Sequence, residues 1–351
     1  MKIGVAMSGG VDSSVAAALL KNAGHDVFGL TMLVVPLEEI DSDHVLTIAK
    51  QVAQTLDIPH HIIDLRSVFE ERIISEFCEQ YSLGRTPNPC VQCNRHIKFG
   101  VLYQKARELG AEILATGHYA QIQRRESDGR YLLKKGVDPR RDQSYFLYAL
   151  TQEQLSRSLF PLGTLTKDMV KQIATEMKLP VASAESREIC FIPDNDYISF
   201  LRKHTALGTL PSLIKDIQGN VLGEHNGIIN YTIGQRKRIG IAAKKPLYVV
   251  ALDAKSNTVV VGDRQHVFNT ECIVAGVNWI AIPELSESLS VRVKIRYRHP
   301  EAEALIILEA GGNVRIKFTE LQLAITPGQS AVFYDGDVVV GGGTIEEVIR
   351  S

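Results

Sequence analysis

At 351 residues the chain exceeds what one hydrophobic core usually organises, so two or three domains are expected. Hydrophobic residues make up 45% and charged residues 23%, which excludes disordered and collagen-like classes. The formal net charge of -1 gives no global pull toward nucleic acid, so any RNA-binding surface has to come from local clusters of Lys and Arg. Met1 to Met7 runs straight into a glycine loop without the features of a secretory signal, and no apolar run reaches membrane-spanning length. Cys78, Cys90, Cys93, Cys190 and Cys272 are an odd set without a disulfide framework, so reduced thiols and a cytoplasmic location are expected.

Along the first half, β-branched runs alternate with helical patterns. Lys2 to Met7 precedes a helix over Ser13 to Ala23, and Asp26 to Leu33 precedes one over His44 to Leu56. His60 to Asp64 is followed by Val68 to Tyr81, and Phe99 to Leu109 leads into Ile113 to Thr116. Such interleaving predicts a parallel, doubly wound α/β domain. Arg124 to Lys135, with Ser127-Asp128-Gly129 at its tip, predicts an inserted hairpin, and helices resume at Lys167 to Met177 and Tyr197 to His204. From about residue 205 short alternating runs are separated by Gly, Asn and Asp, which predicts a small β-rich central domain over 205–270 and a β-barrel over 271–351, behind a catalytic domain over 1–204.

Ser8-Gly9-Gly10-Val11-Asp12-Ser13 stands where the first strand hands over to a helix, so backbone amides and the helix dipole converge on an anion. The loop has neither the Gly-Lys-Ser/Thr ending of a P-loop nor the Gly-x-Gly-x-x-Gly of a dinucleotide fold. Ser-Gly-Gly-x-Asp-Ser resembles the PP-loop of ATP pyrophosphatases, which implies ATP cleaved between its α- and β-phosphates, with Asp12 helping to hold magnesium. The competing reading is a turn whose glycines only permit tight strand–helix packing.

Pro87-Asn88-Pro89-Cys90-Val91-Gln92-Cys93-Asn94 places two thiols in a stiff loop before a helix whose first turn is near Cys93, where a thiolate is favoured. Cys190 is flanked by Arg187 and by apolar residues expected to shelter a reactive sulfur. Half of a zinc site and a redox dithiol are rival readings of the Cys-x-x-Cys, while Cys78 and Cys272 read as buried small hydrophobes.

Cys93-Asn94-x-x-Ile97-Lys98-Phe99, Thr116-Gly117-His118-Tyr119-Ala120, Asp142-Gln143-Ser144-Tyr145-Phe146-Leu147, Ile189-Cys190-Phe191-Ile192-Pro193 and Tyr231-Thr232-Ile233-Gly234-Gln235-Arg236-Lys237 occur in this order, followed by Thr326-Pro327-Gly328-Gln329 and Gly341-Gly342-Gly343. Together they resemble the tRNA-specific 2-thiouridylase family over essentially the whole chain. The resemblance implies a Rossmann-like domain of the adenine nucleotide alpha hydrolase type, and an enzyme, a tRNA-uridine 2-sulfurtransferase. It implies ATP-dependent 2-thiolation of the wobble uridine in tRNAs for Lys, Glu and Gln. Cys190 would carry a persulfide and Cys93 would be the partner nucleophile, closing a Cys93 to Cys190 disulfide. Ala6, Met7, Ser8, Gly9, Gly10, Val11, Asp12, Ser13, Met32 and Gly117 would surround ATP. Asn88, Pro89 and Cys90 would meet the target base, and His118, Arg141, Asp142, Gln143, Arg296, Tyr297 and Gln329 would contact tRNA. A sulfur donor, either a cysteine desulfurase or a relay protein, is an implied partner.

Cys90 stands where many relatives have Asp, Arg141 where Lys is usual, and Arg238 where Gly is general. With Cys90, three thiols (Cys90, Cys93, Cys190) could also hold an iron–sulfur cluster, an alternative to the persulfide. In Arg292-Val293-Lys294-Ile295-Arg296-Tyr297-Arg298 the strand period predicts one wholly basic face suited to an RNA backbone, with further patches at Gln235 to Arg238, Lys244-Lys245 and Arg140-Arg141. Rival functions are another PP-loop ligase, such as a lysidine synthetase, and an RNA-binding module whose loop is a passive sensor.

Overall fold

A computed structural model describes residues 1–35, 42–181, 189–192, 195–206 and 208–350. From the N-terminus the elements are β1 (Lys2–Ala6), α1 (Val11–Asn22), β2 (Asp26–Leu33), α2 (Ser42–Thr55), β3 (His60–Asp64) and α3 (Arg66–Phe69). A π-helical turn (Glu70–Ile74) joins α3 to α4 (Ser75–Ser82). Next come α5 (Pro89–Gln92), a wide π-helical stretch (Cys93–Leu102), α6 (Tyr103–Glu108), β4 (Ile113–Ala115), β5 (Ala120–Arg124), β6 (Tyr131–Lys135), α7 (Gln152–Ser156), β7 (Ser158–Leu159), α8 (Lys167–Glu176) and α9 (Tyr197–His204). The remainder is β8 (Pro211–Asp216), β9 (Val221–Asn226), β10 (Tyr248–Asp253), β11 (Thr258–Gly262), β12 (Phe268–Trp279), β13 (Leu289–Lys294), β14 (Ala302–Leu308), β15 (Val314–Leu323), β16 (Ser330–Asp335) and β17 (Val338–Ile349), joined by turns and short 3-10 segments.

The chain forms two compact units. One comprises residues 1–73, 90–195 and 336–340, the other 74–89, 196–335 and 341–351. The first is built on a parallel sheet in the order β3-β2-β1-β4-β7. Its central strands β1 and β4 are buried apolar runs, and Ile3, Val5, Val15 to Ala18, Val52 and Ala115 share one core. Successive strands run outward from β1 on one side, then β4 starts the other side. The β1/β4 boundary is therefore the switch point at which α/β sheets bind ligands, beyond the carboxyl ends of the strands. The hairpin expected at 124–135 is β5–β6, and residues of β17 pair beside it, Val338 opposite Lys134.

In the second unit β10-β11-β8-β9 make a four-stranded sheet, and β12-β15-β14-β13-β16-β17, closed by β12–β17, make a barrel of six strands among the described residues. Closure removes the free edges that an open sheet of these strands would expose. Helices α4 and α9 belong to this unit and meet through aromatic rings, Phe77 on Phe200 and Tyr81 on Tyr197. Arg238 adopts φ +61°, the left-handed region that glycine enters without a Cβ clash, so the turn keeps a glycine-type conformation although Arg occupies it.

Candidate active site

The glycine loop folds as its sequence demands. Gly9 takes φ +69°, Gly10 caps α1 in an extended conformation, and the chain enters α1 at Val11. Hydroxyls tie the loop to itself. Ser13 Oγ accepts from Ser8 N at 3.1 Å and donates to Gly10 O at 3.2 Å, and Ser14 Oγ donates to Gly10 O at 2.9 Å. Gly117, just beyond β4, backs directly onto this turn: a Cβ there would lie 2.7 Å from Asp12 C and 2.8 Å from Ser13 N. Loop and glycine thus lie at the switch point of the sheet, the geometry of an anion site at a helix N-terminus. Met7 and Gly9 are buried, Ser8 is exposed, and Ala6, Gly10, Val11, Asp12 and Met32 are half-buried.

Sequence reading gave Asp12 to magnesium, but its carboxylate has protein partners. Lys167 Nζ, at the start of α8, donates to both oxygens at 2.7 and 2.8 Å, and Tyr119 OH donates to Oδ1 at 2.7 Å. Burial, reinforced by the hydrogen bond to the Asp12 carboxylate, raises the Tyr119 hydroxyl well above its usual value, so it remains a donor. Tyr119 belongs to the Thr116 to Ala120 motif, but no role is expected of it from sequence; Lys167 stands in the sequence only as the first residue of a predicted helix.

The cysteine segment departs from expectation. The helix starts at Pro89, which suits a first helical position because it has no N–H to leave unsatisfied. Cys90 and Cys93 are therefore inside the helix rather than in a loop ahead of it, and Cys93 begins the π-helical stretch. Cys93 is buried, and burial pushes its thiol up to about 12; Cys90 is pushed up to about 11 for the same reason. The expected thiolate-favouring effect at Cys93 is thus outweighed by desolvation, with Lys98 the opposing cation at both thiols. Cys190 is exposed rather than sheltered; Arg187 lies outside the described residues. Each of Cys90 and Cys93 feels the charge of Cys190, so the three thiols share one neighbourhood in the first unit. Among the described residues no three Cys, His, Asp or Glu side chains converge closely enough to hold a single metal ion. Cys78 and Cys272 are buried, as expected of small hydrophobes in a helix and a strand. Asn94 is also buried; its amide donates to Phe146 O at 3.0 Å while Oδ1 has no hydrogen-bond partner among the described residues.

Residues that the resemblance assigns to the target base and to tRNA differ in exposure. Asn88 is half-buried and Pro89 buried. His118 is only 8% exposed, bonded through Nδ1 to Thr116 Oγ1 at 2.7 Å and packed on Phe99 and Phe160. Burial and Lys98 hold its pKa well below the ordinary value, so the ring is neutral at pH 7. Asp142 is buried and accepts from Gly136 N, Ser144 N and Ser144 Oγ, which makes it a loop organiser. Gln143 Oε1 accepts from Tyr119 N at 3.0 Å, and Arg141 is half-buried. In the second unit, Gln329 Nε2 donates to Thr86 O and Thr86 N donates to Pro327 O, each at 2.9 Å, so the Thr326 to Gln329 turn grips the segment just before Asn88.

The expected basic ladder is corrected. Strand β13 ends at Lys294, so the alternation that would align Arg296 and Arg298 with Arg292 is broken. Arg292 lies near Glu301 and Glu303, at 3.8 and 3.7 Å, acids supplied by the neighbouring chain segment rather than interleaved in its own. Arg296 turns back to donate to Ala324 O and Thr326 Oγ1, and Lys294 Nζ lies 5.6 Å from the centre of the Tyr297 ring.

A family model described as tRNA methyl transferase HUP domain matches residues 1–194. Others described as tRNA methyl transferase PRC-barrel domain and aminomethyltransferase beta-barrel domain match residues 198–263 and 269–345. The chain is 51% identical to tRNA-specific 2-thiouridylase MnmA 1 of Caldanaerobacter subterraneus subsp. tengcongensis, over 99% of each chain. Identity to tRNA-specific 2-thiouridylase MnmA of Clostridioides difficile is 47%, over 99% of this chain and 98% of that one. With similarity of this depth running from end to end, the chain belongs to the tRNA-specific 2-thiouridylase family.

Proposed function

We propose that the protein is a tRNA-uridine 2-sulfurtransferase that uses ATP to thiolate C2 of the wobble uridine, in tRNAs for Lys, Glu and Gln. The O2 atom of the uridine attacks the α-phosphorus of ATP and pyrophosphate leaves, which converts a poor leaving group into AMP. The terminal sulfur of a Cys190 persulfide then attacks C2 and expels AMP. Cys93, as thiolate, attacks the Sγ of Cys190, forming a Cys93–Cys190 disulfide and leaving the second sulfur on C2. Two electrons from an external thiol reductant restore both thiols, and a sulfur donor, a cysteine desulfurase or a relay protein, reloads Cys190.

The supporting observation is that Cys93 and Cys190 belong to the unit that also carries the glycine loop, where the charge of Cys190 bears on the buried Cys93 thiol. The amides of Ser8 to Ser13 suit the phosphates, and magnesium accompanying ATP would neutralise phosphate charge, with Asp12 the carboxylate assigned to hold it. Asn88, Pro89 and Cys90 meet the base, and Ala6, Met7, Met32 and Gly117 line the nucleotide. His118, Arg141, Asp142, Gln143, Arg296, Tyr297 and Gln329 act on tRNA; for the buried His118 and Asp142 that action is through the loops they hold.

The test is nucleoside mass spectrometry of tRNA after incubation with magnesium ATP and a persulfide donor. Wild type should yield 2-thiouridine, whereas Cys190→Ser should yield none while retaining tRNA-dependent pyrophosphate release. Thiolation by Cys190→Ser at the wild-type rate, or a methylated uridine in its place, would refute the proposal.

A further inference from the structure

A lysine at the first position of a helix is electrostatically misplaced, because the N-terminal end of the macrodipole is positive. Lys167 occupies that position in α8, capped by Thr166, and its main-chain N–H is held by Asp138 Oδ2 at 3.1 Å. Its ammonium reaches the start of a second helix, α1, where Asp12 accepts from it through both oxygens. The side chain is only 13% exposed, so a cation has been brought out of water and placed at the positive ends of two helices, beside the glycine loop. A purely structural ion pair gains little from such a position. A site that receives a highly charged anion gains a great deal, since each N–H of the loop and the ammonium then aim at the same charge.

Asp12 has a second donor. Tyr119 OH bonds the same Oδ1 that Lys167 uses, so departure of the ammonium leaves the carboxylate oriented rather than abandoned. Gly117 packs against the Asp12 main chain and fixes that residue from behind. The lysine is thus the more adaptable member of the group: its backbone is anchored while its four-carbon stem carries rotatable bonds, whereas Asp12 is held on two sides.

We propose that Lys167 is a phosphate ligand that exchanges between two anionic partners, the Asp12 carboxylate and the terminal phosphates of the nucleotide. When Lys167 turns to the phosphates, Asp12 is released to the divalent cation that accompanies them. Metal and ammonium therefore compete for one carboxylate, and nucleotide binding decides the competition. This rests on the assignment of ATP to the glycine loop.

The experiment measures two affinities in the full-length protein: ATP in the presence of EDTA, by calorimetry, and Mn2+ without nucleotide, by electron paramagnetic resonance. In Lys167→Met, metal-free ATP should bind about tenfold or more weakly, because a charge-assisted contact is lost, while Mn2+ alone should bind at least about threefold more tightly. Lys167→Arg should restore most of the ATP affinity. Asp12→Asn should bind metal-free ATP more tightly than wild type, because the carboxylate that competes for the ammonium is gone, and should lose the extra affinity that Mn2+ gives. Equal losses of metal-free ATP binding in Lys167→Met and Asp12→Asn, or no change in either affinity for Lys167→Met, would overturn the exchange in favour of a structural pair. Circular dichroism checks folding, and if Lys167→Met does not fold, the Arg and Asn variants decide. Failure of the wild type to bind ATP would overturn the nucleotide assignment as well, whereas normal binding with an indifferent lysine would overturn the exchange alone.

Discussion

Gly117→Ala adds one methyl group at the tightest contact behind the glycine loop. The new Cβ would lie 2.7 Å from Asp12 C, 2.8 Å from Ser13 N and 3.0 Å from Asp12 O, where ordinary contacts begin near 3.4 Å. The difference, 3.4 − 2.7, requires a shift of about 0.7 Å, and all three atoms belong to the main chain, so no side chain can rotate away. Moving Asp12 by that amount stretches its bonds to Tyr119 and Lys167, now 2.7 to 2.8 Å, to the limit of useful geometry. Overpacking of this kind costs about 1–3 kcal/mol of stability. The displaced loop should weaken ATP by about 10- to 100-fold. Urea denaturation and calorimetry measure the two effects. A variant within about 0.5 kcal/mol of wild type in stability, with ATP affinity within about twofold, would show that the close approach of Gly117 does not position the loop.

Three further outcomes follow from the buried groups. His118 is held neutral in the folded protein with its pKa depressed, so the unfolded chain takes up a proton first as pH falls. Its contribution is complete above about pH 6.5 and is lost below it at up to about 1.4 kcal/mol per unit; denaturation midpoints of His118→Gln should show a correspondingly shallower acid slope, and an unchanged slope would refute the assignment. Because burial pushes the Cys93 thiol up to about 12 while Cys190 is exposed, iodoacetamide should label Cys190 first. Labelling of Cys93 should rise about tenfold per pH unit between pH 7 and 10, and peptide mass spectrometry showing faster labelling of Cys93 than of Cys190 at pH 7 would contradict this. Lys98→Met should slow Cys93 labelling further, since the cation that favours its thiolate is removed.

Features carried by contiguous residues were legible in the sequence. The strand–loop–helix around Ser8 to Ser13, the β5–β6 hairpin and the change from helical to strand periodicity after about residue 205 each depend on local pattern, and each is present in the structure. What escaped depends on distance or on depth. Lys167 and Asp12 are 155 positions apart, so only the fold brings them together. The alternation of Arg292 to Arg298 promised a continuous strand, but the ladder stops at Lys294 and Arg296 is claimed by the turn at Ala324 to Thr326. Likewise Pro89 read as a loop stiffener because proline breaks helices, whereas at a helix start it is a favoured residue, and that one-turn difference moved both thiols into the helix.

The strand β17 has a bearing on how the protein is made. Its first residues, 338–340, belong to the unit that begins at Met1, and Val338 pairs with Lys134 of β6, while residues from 341 onward complete the barrel. During synthesis the β5–β6 hairpin waits for roughly 200 more residues, on the order of 10–40 s at ordinary ribosomal speeds, before its neighbour emerges. A premature stop near residue 335 would therefore deprive the N-terminal unit as well as the barrel, and nascent chains lack this neighbour of β6 until β17 has been made.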